Sequence, residues 1–324
     1  MTSSISLLLG SAPLTLWLGF IALVLVLLAL DLGVFHRRPH EVSNKEAAVW
    51  TAIWISLAGA FNAFVFWDLG HQAGIEFLTG YVIEKSLSVD NLFVMLLVFT
   101  SFGVPKIYQH RILFWGILGA LVTRGVMIIL GAELLNRFHA VIYVFGGFLV
   151  FTGVRMLFAR GEKPDPRKNL ALRIFTRFVP TTDRIDGKHF FVVEAGKRVA
   201  TPLLVALVVV EAMDVVFAVD SIPAIFAVTT DPFIVFTSNV FAILGLRSLY
   251  FLLANVVERF VHLEIGLSII LTYVGVKMLV SGWYPIPTPI SLAVILGILA
   301  ITIITSIVAN RRAHAKDESP GSCA

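Results

Sequence analysis

Long apolar runs broken by short polar connections set the pattern of this chain. Runs that approach or exceed the roughly 18–20 apolar residues needed to cross a bilayer as a helix predict transmembrane spans. They fall at about 13–35, 48–67, 76–100, 111–132, 138–159, 200–228, 233–254, 262–280 and 288–309. The strict alternation of a membrane barrel is missing. The pattern therefore predicts an all-α, polytopic membrane protein of about nine transmembrane helices. The first run, Pro13 to Phe35, has no basic region ahead of it and no small-residue cleavage site behind it, so it reads as a retained span.

Two of these runs carry acids where a bilayer makes them costly. A carboxylate at a helix centre costs about 2.5–3.5 kcal/mol on insertion scales, so such groups face a cavity or a partner and mark ion or proton paths. The segment Glu84-Lys-Ser-Leu-Ser-Val-Asp90-Asn matches Asp214-Val-Val-Phe-Ala-Val-Asp220-Ser, with Glu211 one turn earlier in the second copy. Further on, Phe148-Leu-Val-Phe-Thr-Gly153-Val-Arg155-Met-Leu matches Ile270-Leu-Thr-Tyr-Val-Gly275-Val-Lys277-Met-Leu. Between these anchors each copy has one span with a central arginine, Arg124 and Arg247. Three spans thus recur twice. Because three crossings separate equivalent spans, the two copies are expected to be inverted, which is a recurring plan of secondary transporters.

The organisation follows: two N-terminal helices in 1–75, a first three-helix repeat in 76–159, a basic cytoplasmic loop in 160–198, a second inverted repeat in 199–281, and a last helix with a cytoplasmic tail in 282–324. Composition agrees, with 58% hydrophobic and 14% charged residues and a mean hydropathy of +0.90. The net charge of +4 does not signal nucleic acid, because the basic residues lie between apolar runs. Loop 160–198 alone holds ten Lys/Arg against five Asp/Glu. In a nine-span path nearly all basic connections share one side, and the other carries only Arg137. The positive-inside rule then places the N-terminus outside and the C-terminus in the cytoplasm. The lone cysteine, Cys323, excludes a disulfide within one copy and thiolate metal sites. Within the basic loop, Phe190 to Val199 with Gly196 as turn residue reads as a small hairpin against the membrane face. The loop serves topology and anionic lipid, and is also the place for a cytoplasmic partner.

The candidate ligands are hard oxygens: Glu84, Asp90, Glu211, Asp214, Asp220, Asn91 and Ser221, with no histidine in either helix. Such a set suits Mg, Ca or Mn rather than zinc or copper. Met213, between two acids, would add one soft thioether. Acids six apart point about 120° from each other on a regular helix. Pro223, which frees the carbonyl of Val219, is therefore expected to unwind the second acid helix. Lys85, Arg124 and Arg247 are the charge partners or gate residues, and pairing with them would make some of the acids structural.

These residues resemble the TerC family of bacterial membrane proteins, which includes Alx-type manganese exporters. The resemblance rests on Glu84 to Phe93, on Ala200 to Ala224, on Thr230-Asp-Pro-Phe and Thr237-Ser-Asn, and on Phe241-Ala-Ile-Leu-Gly-Leu-Arg-Ser248. It implies a multi-pass protein of the bacterial inner membrane that exports Mn(II), with Glu84, Asp90, Glu211, Asp214 and Asp220 matching the family acids. The family name refers to tellurium resistance.

The sequence reading is a secondary transporter, not an enzyme, needing no cofactor, that exports Mn(II) or a similar hard divalent cation by proton-coupled antiport through a midplane carboxylate site. The chain has no Walker A loop, and the Gly-x-Gly-Asp signature of intramembrane aspartyl proteases is missing. The alternative is a membrane anchor or assembly protein of a tellurium or metal stress response, with structural intramembrane acids.

Overall fold

The computed structural model describes residues 12–35, 43–138, 140–158, 170–194, 196–253 and 263–317. Their helices are α1 (Leu14–Phe35), α2 (Asn44–Asp68), α3 (His71–Ser101), α4 (Lys106–Arg137), α5 (Val141–Phe158), α6 (Leu170–Phe178), α7 (Pro202–Phe226), α8 (Pro232–Leu244), α9 (Leu246–Leu253), α10 (Leu263–Val280) and α11 (Thr288–Asp317). A two-stranded hairpin, β1 (Phe191–Glu194) and β2 (Lys197–Ala200), joins α6 to α7. Six stretches are long and apolar enough to cross a membrane: Asn44–Asp68, Lys106–Leu135, Val141–Phe158, Pro202–Phe226, Pro232–Leu252 and Thr288–Ala309. Leu14–Leu30 and Ile265–Val280 are shorter apolar helices. Helix α3 is longer still, and Glu76, Glu84, Lys85 and Asp90 interrupt its apolar character.

Local chemistry sets the helix starts. The Ser43 hydroxyl accepts from the Glu46 amide at 3.2 Å to begin α2. Asp231 accepts from the amides of Phe233 (2.9 Å) and Ile234 (3.4 Å), with Pro232 at the first helical position of α8. Helix α8 ends at Gly245 and α9 follows at once, so the predicted span 233–254 is two helices in line. The expected unwinding at Pro223 does not occur, since α7 runs unbroken from Pro202 to Phe226. Pro223 lies in the last turn of α7, where losing one ladder hydrogen bond and its partner carbonyl disturbs little below it.

The hairpin forms where the turn residue predicts it. Val192 pairs with Val199 and Glu194 with Lys197, and Gly196 holds the turn at φ 76°, a left-handed conformation that costs glycine little. Thr201 anchors it to α7 by donating to the carbonyls of His189 (2.8 Å) and Phe190 (3.2 Å).

Around the acid helices the packing is reciprocal. Helix α3 packs on α8 and α4 packs on α7, while α3 crosses α7 and α5 lies along α10. The α5–α10 contact is close because glycines face each other. A Cβ on Gly275 would come within 2.7 Å of the Gly146 carbonyl oxygen and of the Val150 amide nitrogen. Gly146 and Gly153 also sit directly against α10, whereas Gly147 faces outward with nothing within 4 Å. Helices α1 and α2 close one side through an aromatic cluster in which Trp17, Phe20 and Phe61 meet Phe233, Phe236 and Phe241.

Candidate cation site

Arg124, near the middle of α4, is the organising side chain of the interior. It is 1% exposed, and its guanidinium forks onto Asp214 of α7, with Nε donating to Oδ2 at 3.2 Å and Nη2 to Oδ1 at 2.8 Å. Its Nη1 donates to Glu84 of α3 in a direct ion pair and lies 3.4 Å from the Ser221 hydroxyl and 3.5 Å from Asn239 Oδ1. Arginine suits this place because its donors point along fixed, divergent directions and it stays charged when buried. The duplicated acid pair Glu84 and Asp214, on different helices, thus shares one cation. Two carboxylates against one guanidinium leave the triad with one excess negative charge.

The less satisfied of the two carboxylates is Glu84. Glu84 is fully buried, and its Oε2 accepts from no group among the described residues, while Oε1 takes the Arg124 donor and lies 3.5 Å from the Ser88 hydroxyl. A buried carboxylate oxygen without a donor is costly unless another ligand satisfies it. Beside Glu84 lies a cavity of about 200 Å³ lined by Asn91, Thr152, Met156, Phe217, Asp220 and Ser221, with Leu87, Leu267 and Leu271 as its apolar wall. Asp220 is half-buried there, with the Thr152 hydroxyl of α5 in hydrogen-bonding reach. The cavity therefore offers two carboxylates, one amide, two hydroxyls and one thioether.

Of the other candidates, Met213, Asp214, Glu211, Lys85 and Arg247 do not line this cavity. Asn91, Met213, Asp214 and Phe217, with Met95, line a second cavity of about 10 Å³, so Met213 does not join Asp220. Glu211 is half-buried one turn before Asp214, with its carboxylate against Gly119 of α4, where any Cβ would collide with it. Lys85 donates to the carbonyl of Ala242 at 3.2 Å rather than to a carboxylate, serving the open C-terminal carbonyls of α8. Arg247 is buried on α9, just past the Gly245 break. Asp90 is in the body of α3, and its side chain lies outside the described residues. Among the described residues no three of His, Cys, Asp and Glu converge on one point.

Three contributors escaped the sequence reading. Thr152 and Met156 stand on the anchor segment that recurs in α10, but without charge they carried no signal of chemistry. Asn239 lies in the Thr-Ser-Asn stretch of α8, and only the fold brings it to Arg124.

Residues 69–314 match the model of the TerC family of integral membrane proteins. The chain belongs to the TerC family. Among its relatives is the uncharacterized membrane protein STKORF319 of Myxococcus xanthus, 54% identical over 93% of this chain and 95% of the relative. Another, in Escherichia coli K12, is named as a proposed membrane-bound redox modulator, Alx, and is 48% identical over 92% of this chain and 95% of the relative. Its Salmonella typhi counterpart is 48% identical over 94% and 96%. No solved structure matches the chain. Membership makes this a multi-pass membrane protein, in keeping with the six long apolar stretches.

Proposed function

We propose that this TerC-family protein is a proton-coupled secondary transporter that exports Mn(II), or a similar hard divalent cation, from the cytoplasm across the bacterial inner membrane. The observation that carries the reading is the cavity in which the unpartnered Glu84 Oε2 and Asp220 are joined by Asn91, Thr152 and Ser221. Oxygen donors with two carboxylates suit hard divalent ions, and the Met156 sulfur favours manganese over magnesium or calcium. The charge agrees: the Arg124 triad contributes one excess negative charge and Asp220 a second, matching one divalent ion. Coupling follows if a carboxylate takes up a proton when the metal leaves.

The reciprocal packing of α3 on α8 and α4 on α7 supports a two-fold relation between the repeats, because exchanging the copies maps each contact onto the other. Inverted repeats around a shared site favour alternating access. The proposed orientation keeps the N-terminus outside and the basic loop inside. The redox modulation that the Alx name ascribes to those relatives would arise here through metal supply, since Cys323 alone gives no disulfide within one copy.

One observation favours the anchor reading: Arg124 ties Glu84 and Asp214 together as a structural ion triad. The deciding measurement is Mn(II) flux in proteoliposomes under two pH gradients, with Mg(II), Ca(II) and Zn(II) as competitors. Flux in the wild type that is lost in Asp220→Asn, with folding retained, is the expected result. No flux of any cation in the wild type would leave the anchor role.

A further inference from the structure

The segment between the two repeats is not simply a polar connection. Helix α6 presents three faces. Leu172 is buried in the main hydrophobic core and Phe175 packs against it, alongside Leu203 and Val205 of α7. Leu170, Ile174 and Phe178, four apart and therefore on one stripe, are 68%, 52% and 78% exposed. Arg173 and Arg177 are exposed along the edge of that stripe. The hairpin continues the theme, since Val193 is 69% exposed and pairs directly with the exposed Arg198.

The position of this surface identifies what covers it. Phe190, just before β1, lies under the Arg111 guanidinium at 4.7 Å, and Arg111 is in the second turn of α4. Ala200 is followed within two residues by Pro202, the first residue of α7. Helices α4 and α7 both contain membrane-crossing stretches, so α6 and the hairpin sit at the level where two spans begin. An apolar stripe at that level meets the boundary between headgroups and acyl chains. The charge is complementary to anionic lipid: Arg173, Arg177, Arg184, Lys188, Lys197 and Arg198 outnumber Asp183, Asp186 and Glu194 along residues 170–200.

We propose that α6 and the outer face of the hairpin form an interfacial lipid-binding surface. Leu170, Ile174, Phe178 and Val193 enter the headgroup–acyl boundary, and Arg173, Arg177 and Arg198 hold the phosphates of anionic lipids. This surface pins the joint between the two repeats to one leaflet, and it stands independently of what the protein transports.

The test uses the full chain in a Cys323→Ser background, reconstituted in phosphatidylcholine with and without phosphatidylglycerol. A spin label is placed by Ile174→Cys, with Lys188→Cys as the aqueous control. The label at position 174 is expected to collide with dissolved oxygen more than with a water-soluble nickel reagent, and the label at 188 the reverse. Spin-labelled phosphatidylglycerol is expected to be preferred over phosphatidylcholine, with a loss of about fivefold in relative association constant per arginine in Arg173→Gln and Arg177→Gln, from about 1 kcal/mol per basic residue at an anionic surface. The proposal fails if position 174 is as water-accessible as 188. It also fails if position 174 is shielded from both reagents, which would mean a protein partner or a second copy covers the stripe.

Discussion

Arg124 carries the heaviest electrostatic load of any single residue described. Its guanidinium compensates Glu84 and Asp214 from two other helices in the buried interior, so removing it leaves two buried carboxylates facing each other. Breaking a buried ion pair by deleting one partner costs about 3–5 kcal/mol. Arg124→Gln is therefore expected to lower thermal stability in detergent sharply, and Arg124→Gln with Asp214→Asn to regain part of it. Equal stability of Arg124→Gln and the wild type would show that the triad is not the internal clamp. Asp220→Asn should behave differently, since Asp220 is only half-buried and pairs with no arginine among the described residues: its melting temperature is expected to stay within a few degrees of wild type while flux is lost. The acids were legible in the sequence because a charge within an apolar run cannot be filler. Their division was not. Arg124 is 90 residues from Asp214 and 40 from Glu84, and nothing local distinguishes it from Arg247 or Lys85 as a partner. Lys277 makes the same point, because its place near the end of a span reads as a snorkelling side chain, yet it is buried near Glu76 of α3.

At the scale of elements, helix contacts within a bilayer rest on close backbone approach rather than on the hydrophobic effect, because lipid is as apolar as the side chains. The α5–α10 pair shows how tight that approach is, with Gly275 against the Gly146 carbonyl and the Val150 amide. Backbone cannot move aside as a flexible side chain can, so Gly275→Ala must separate the helices. The expected cost is about 1–3 kcal/mol, as for overpacking elsewhere, and Tm in detergent reads it. Gly147→Ala, one residue from Gly146 but facing outward, should stay within about 0.5 kcal/mol of wild type. Similar losses in both would mean that helix flexibility, not the interface, is what these glycines supply. The repeat anchor Gly-Val-(Arg/Lys)-Met-Leu had marked Gly153 and Gly275 as equivalent, but their common task, packing α5 and α10 on each other, appears only in three dimensions. The hairpin was legible down to its turn because Gly196 meets a local requirement. The continuity of α7 through Pro223 was not, since how much a proline disturbs depends on how few residues follow it before the helix ends.

Across the whole molecule, the two cavities are related by the duplication. Under the match of Glu84 with Asp214 and Asp90 with Asp220, the Asn91, Asp214 and Phe217 of the small cavity correspond to Ser221, Glu84 and Leu87 of the large one. One cavity thus measures about 200 Å³ and its equivalent about 10 Å³, and Asn91 and Phe217 border both. Under the proposed transport function this inequality is what alternating access requires, with exchange between the copies moving the larger cavity from one to the other. The second anchor supplies reporters: Met156 lines the larger cavity, whereas its equivalent Met278 is 1% exposed in the core. In a Cys323→Ser background, a cysteine introduced by Met156→Cys should react with a small thiol reagent in the metal-free protein, and one introduced by Met278→Cys should not. During Mn(II) flux under a proton gradient the two reactivities should move toward each other, as each copy spends part of the cycle open. Sustained flux with the position 278 thiol permanently protected would mean that the ion moves without exchange of the repeats, and the large cavity would then be one end of a fixed path.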